Sequence, residues 1–79
     1  MRIQVRFFAG LRERTGISER EMTVPGNTTV AQVWSLLVEK EPLSHNVLAA
    51  RNMEYVGFDS QLADGDEVAF FPPVTGGAL

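Results

Sequence analysis

From Arg2 to Phe8 the chain alternates. Ile3, Val5 and Phe7 fall on one side of an extended backbone, and Arg2, Gln4, Arg6 and Phe8 on the other. This pattern predicts a strand with one buried face, on which Phe8 is the single apolar residue of the polar side. Leu11 to Gly16 is charged, ends in glycine and is too short for a helix stable on its own, so it reads as a connecting turn. A second strand is expected from about Ser18 to Val24, with Arg20, Met22 and Val24 opposite Glu19, Glu21 and Thr23. Pro25-Gly26-Asn27 stops it. The two strands should pair antiparallel.

Thr29 followed by Gln32 fits a capping box, in which the Thr hydroxyl accepts a helix-end amide and the Gln side chain reaches back. Val30, Val33, Trp34 and Leu37 then recur at helical spacing, and this stripe should cover the sheet. Pro42 ends the helix near Lys40, because proline lacks an amide proton and disfavours helical geometry at Glu41. Leu43 to Ala50 admits a short helical turn before a strand of roughly Leu48 to Arg51. Asn52 turns the chain into a short strand around Glu54 to Val56. Asp59 to Asp64 is a polar loop around an apolar anchor, Leu62, and Asp64-Gly65 marks a tight turn. Glu67 to Phe71 is the last strand, closed by Pro72-Pro73. The order predicts an α+β fold, a mixed sheet of about five strands with one main helix packed across it. The crossover through the helix can set the first and last strands side by side in parallel.

At 79 residues the chain is expected to be one small domain, and its 44% apolar and 22% charged composition is that of a globular protein rather than a disordered one. The absence of cysteine excludes disulfides, thiolate metal sites and a cysteine nucleophile. The alternating start is unlike a signal peptide, and no stretch approaches the about 18 apolar residues of a membrane helix, so a cytoplasmic protein without membrane contact is expected. A net charge of −3 argues against nucleic acid and for protein partners.

Chemistry-bearing clusters are few. His45 has no partner at a recognised catalytic or metal-ligand spacing. Asp64, Asp66 and Glu67 suit a turn better than a cation loop, and neither nucleotide-binding glycine motif is present. Trp34 belongs to the core stripe. Two features ask for more. Phe71 shares its strand face with Glu67 and Ala69, while Val68 and Phe70 point inward. If the first and last strands are neighbours, Phe71 and Phe8 share an outer surface, which marks a docking patch unless the long arginine stems cover it. The tail is the second feature: after the two prolines, Val74, Thr75, Gly76 and Gly77 carry no charge and lose their side chains. It is either a frayed terminus or a narrow probe, reaching about 13 Å at ~3.3 Å per residue.

Phe7-Phe8-Ala9, Arg12-Glu13, Asn52 and above all the run from Leu62 through Asp64-Gly65-Asp66-Glu67-Val68-Ala69-Phe70-Phe71-Pro72-Pro73-Val74-Thr75-Gly76-Gly77 resemble the small, sulfur-carrying subunit of molybdopterin synthase. The resemblance spans nearly the whole chain and implies a ubiquitin-like β-grasp domain over 1–73 with a Gly-Gly tail over 74–79. The thiamine-pathway sulfur carrier is a relative with the same fold and Gly-Gly end.

The resemblance also implies a chemistry. A terminal carboxylate, with a pKa of roughly 3.5, is ionised and a poor electrophile at neutral pH. In the family a partner enzyme adenylates the terminal glycine with ATP, and sulfur displaces AMP to give a thiocarboxylate. The tail then enters the large catalytic subunit, in a heterotetramer of two small and two large subunits, and gives its sulfur to cyclic pyranopterin monophosphate. Gly77 would be the reacting residue, Val74, Thr75 and Gly76 the inserted tail, and Phe8, Tyr55 and Phe71 the apolar partner-binding surface. The chain would bind no cofactor and would serve as a sulfur-donating subunit, with catalytic groups supplied by the large subunit. Here Ala78-Leu79 follow Gly77, so either a peptidase removes them or the protein does not carry sulfur in the usual way. A sulfur carrier of another pathway and a β-grasp interaction module without thiocarboxylate chemistry are the alternative functions.

Overall fold

The N-terminal alternation becomes strand β1, Arg2–Phe7, with Ile3, Val5 and Phe7 buried. In the computed structural model, which describes residues 1–38 and 47–73, it is followed by helix α1, Gly10–Thr15, strand β2, Glu19–Thr23, and helix α2, Val30–Leu37. Strands β3, Leu48–Arg51, β4, Glu54–Val56, and β5, Glu67–Phe71, complete a five-stranded sheet in the order β2-β1-β5-β3-β4. The fold is the expected α+β β-grasp: β1 pairs antiparallel with β2 and parallel with β5, and β5 pairs antiparallel with β3.

Register divides the sheet into two faces. Val5 lies beside Val68, Phe7 beside Phe70, and Phe70 beside Ala49, all buried on the face that α2 covers. Trp34 of α2 meets this face: its ring centroid is 5.2 Å from that of Phe70 and 5.9 Å from that of Phe7, and the two phenylalanines are 5.4 Å apart. Val30 and Val33 are buried with it, as the helical stripe predicts.

The capping box at Thr29 is present. The Gln32 amide donates to Thr29 Oγ1 at 3.3 Å, and the Thr29 amide donates to Gln32 Oε1 at 2.8 Å. The loop after β4 satisfies further helix-end amides: Val30 N–H donates to the Ser60 carbonyl at 3.0 Å and Ala31 N–H to that of Phe58 at 2.9 Å. Leu62 anchors this loop in the core, as expected.

Four boundaries and one element type are corrected. Leu11–Gly16, read as a turn, lies mostly in α1. Leu11 is fully buried, and the αL conformation of Gly16 lets its amide close on the Arg12 carbonyl at 3.0 Å, so tertiary packing sustains a helix too short to exist alone. β1 ends at Phe7 and β2 spans Glu19–Thr23, each slightly shorter than its pattern. α2 ends at Leu37 rather than near Lys40, because Val38 leaves helical geometry while its amide still bonds the Trp34 carbonyl at 2.7 Å. The readings placed on Lys40, Pro42, Leu43 and His45, and on the tail from Val74 to Leu79, lie outside the described residues.

Trp34→Ala is expected to cost about 3–5 kcal/mol, since it empties the junction of helix and sheet. Urea unfolding followed by circular dichroism checks this, and a loss below about 1 kcal/mol would show that the aromatic cluster is not the centre of the core.

Candidate functional site

The sheet face opposite α2 collects the residues that the β1 and β5 patterns leave outside. Arg6 lies beside Ala69, and the Phe8 amide continues the parallel ladder by donating to the Phe70 carbonyl at 3.0 Å. Phe8 and Phe71 therefore share one outer face. Phe8 remains 43% exposed beyond the strand end, whereas Phe71 is half-buried. Alternation alone left Tyr55 without a side; the pairing Ala50↔Tyr55, next to Ala50↔Ala69, assigns it to the same face. Its ring centroid is 5.6 Å from that of Phe71, and 74% of the residue is open to solvent.

Small side chains shape the surface between these rings. Ala69 forms the low ground of a groove of about 440 Å³ bounded by Arg6, Phe8, Met53, Glu67 and Phe71. Arg6, the arginine of the shielding alternative, lines the same groove as Phe8 and Phe71. Its Nε sits 3.4 Å from a carboxylate oxygen of both Glu19 and Glu67, which ties the guanidinium across the sheet.

Met53 escaped the sequence reading. It is 91% exposed, at the tip of the two-residue turn joining β3 to β4. The signal was present in the spacing: strands ending at Arg51 and restarting at Glu54 leave only Asn52 and Met53 for the connection. A residue at such a tip cannot reach the core.

The acidic cluster has a structural use. Asp66 is buried, and its Oδ1 accepts from Asn52 Nδ2 at 2.9 Å while Oδ2 accepts from the Ala63 amide at 2.8 Å. Asn52 in turn accepts the Glu67 amide at 2.9 Å through Oδ1 and donates its own amide to the Glu67 carbonyl at 2.8 Å. Asp64 accepts the Arg2 amide at 2.7 Å. These bonds fasten the hairpin tip to the start of β5, and among the described residues no group of His, Asp or Glu is placed to hold a metal ion. Nor is any described helix long and apolar enough to cross a membrane.

The structure thus brings Phe8, Tyr55 and Phe71 together. Val74, Thr75, Gly76 and Gly77, the candidate tail, continue from the Pro72-Pro73 end of β5 outside the described residues.

Comparison with known proteins fits this geometry. Residues 5–77 match the ThiS family. The molybdopterin synthase sulfur carrier subunit of Escherichia coli (strain K12) is 44% identical over an alignment that covers 95% of this chain and 99% of the relative. Among solved structures, small archaeal modifier protein 1 of Haloferax volcanii superposes with a TM-score of 0.80 at 28% identity, covering 96% of this chain and 99% of that one. The complex of subunits 1 and 2 of the molybdopterin-converting factor of Helicobacter pylori 26695 contains a chain that matches with a TM-score of 0.66 at 26% identity, covering 96% and 99%. The chain therefore belongs to the ThiS family of ubiquitin-like β-grasp proteins, together with the molybdopterin synthase sulfur carrier subunits that it resembles.

Proposed function

We propose that this chain is the sulfur-carrying small subunit of a molybdopterin synthase, with Gly77 as the reacting residue. The observation that carries the proposal is one of continuity. An open aromatic face ends at Phe71, and the chain runs on from there through two prolines to Gly76-Gly77, in a protein 44% identical along its length to a named sulfur carrier. A partner that covers Phe71 is thereby positioned to receive the tail.

The steps follow from the chemistry of a carboxylate. Cleavage after Gly77 releases Ala78-Leu79 and exposes the α-carboxylate of Gly77. An activating enzyme joins it to the α-phosphate of ATP, expelling pyrophosphate, and converts a resonance-stabilised anion into an acyl adenylate with AMP as leaving group. A sulfur nucleophile displaces AMP and leaves a thiocarboxylate, whose sulfur attacks more readily than the oxygen it replaces. The tail then enters the large subunit, which supplies the acid–base groups, and the sulfur passes to cyclic pyranopterin monophosphate. Glycine suits both visits, since a side chain at Gly76 or Gly77 would widen the probe. The domain itself binds no cofactor on this reading, and ATP is consumed by the activating partner. The large subunit is the expected docking partner because a solved complex pairs the two subunits of a molybdopterin-converting factor.

A second reading is favoured by the likeness to small archaeal modifier protein 1: the same fold and tail could serve a sister carrier or modifier route. Both need an exposed Gly77, whereas a pure interaction module does not.

Intact mass of the protein recovered from its own cells separates these cases. Loss of Ala-Leu, with a fraction carrying one oxygen exchanged for sulfur, is expected for a carrier. A full-length mass that persists after mixing with ATP, activating enzyme and a sulfur source would overturn it. Docking is tested separately by Phe71→Asp, which should leave the domain folded by circular dichroism yet weaken binding to the large subunit by at least about 30-fold, the loss of a hot spot worth ~2 kcal/mol. Unchanged affinity in titration calorimetry would remove Phe71 from the interface.

A further inference from the structure

Asn52 and Met53 both have positive φ, 50° and 72°, as a two-residue hairpin turn with a type I′ bend requires. Asparagine tolerates this region. Methionine does not favour it, and glycine is the residue that the second turn position selects. The turn cannot relax elsewhere, because Asn52 is fastened to Asp66 and to both backbone groups of Glu67. Nor does the side chain of Met53 compensate by packing, since the residue is 91% exposed. For the isolated domain Met53 is a poor choice on both counts, backbone and burial.

Its position gives it another use. Met53 closes the far end of the groove floored by Ala69, with Phe71 at the end where the chain leaves the sheet. From Glu67 to Phe71 is about 13 Å at ~3.3 Å per residue, so a partner seated on Phe71 need extend only that far back to reach Met53. The charged groups there pair with one another: Arg6 lies 3.4 Å from a carboxylate oxygen of Glu67 and 3.4 Å from one of Glu19, which leaves that side of the groove with one negative charge in excess. An unbranched thioether adapts to an irregular apolar surface better than other side chains do.

We infer that Met53 is a docking residue for the large subunit, held in an unfavourable backbone conformation because its side chain grips an apolar segment of that partner laid along the groove. The inference rests on the carrier assignment above. It adds a fourth apolar contact to Phe8, Tyr55 and Phe71, and it makes the hairpin tip a site where stability has been exchanged for binding.

The test uses the full chain, titrated against the large subunit by calorimetry, with thermal unfolding measured in parallel. Met53→Gly should raise Tm by about 4 °C or more, since relief of strain in a domain this small moves the midpoint by several degrees, and should weaken binding about tenfold. Met53→Gln retains the strained backbone and removes the apolar tip, so its Tm should match the parent while binding again falls about tenfold. Met53→Leu should bind within about twofold of the parent. Parental affinity in either the Gly or the Gln variant, or a lowered Tm in the Gly variant, would overturn the inference while leaving the carrier assignment standing. If the parent chain itself fails to bind the large subunit, both fall.

Discussion

The parallel pairing of β1 with β5 is the constraint on which the rest of the molecule depends. It joins the two ends of the sequence at the centre of the sheet, aligning Val5 with Val68 and Phe7 with Phe70. Backbone bonds extend it at both ends, from Gln4 to the Asp66 carbonyl and from Phe8 to the Phe70 carbonyl, each 3.0 Å. Because side chains alternate with a period of two, the register that buries Phe7 and Phe70 under Trp34 also sends Phe8 and Phe71 to the opposite surface. Core and outer aromatic face are thus two readings of one pairing. A slip of one residue would expose the first and bury the second.

The polar bonds around Asp66 extend this order to the sheet's far side. β3 and β4 form a short hairpin, which in isolation would be marginal. Asn52 binds it to β5 through both its backbone and its side chain, and Asp66 accepts from Asn52 and Ala63 inside the fold, so the buried carboxylate has partners for both oxygens. The result is a corner held by four hydrogen bonds. Those bonds place Tyr55 and Met53 relative to Phe71, and they give the acidic run, suggestive of a cation loop, backbone amides to hold instead.

Much of this was legible in the residues. β5 is matched at both ends because its alternation is strong and Asp64-Gly65 and Pro72-Pro73 bracket it, and α2 begins where its capping box says. α1 was missed because its stability comes from Leu11 reaching a core built by residues distant in sequence, which local helix propensity cannot report. The side taken by Tyr55 was hidden for a related reason. A three-residue strand carries too little alternation to orient itself, and only its pairing with Ala50 decides. Met53 lay hidden because the strain that singles it out is a property of φ, and Asn-Met does not announce a left-handed turn as Asn-Gly would.

A sulfur carrier on the proposed route must meet an activating enzyme and then a large subunit, and it must leave each. A large flat apolar interface would hold too well and would invite self-association. This face instead interrupts its aromatics with the paired Arg6 and Glu67 and with the low surface of Ala69, so affinity has to come from a few projecting side chains. Such an interface needs those few side chains to be held still, because each rotamer or loop that must be ordered on docking subtracts from the binding free energy. The fastened hairpin, the parallel ladder extended to Phe8 and the diproline after Phe71 all reduce that cost. On that route the domain would contribute position, and the reactive carbon proposed at Gly77 would be delivered by a tail that has only to be narrow.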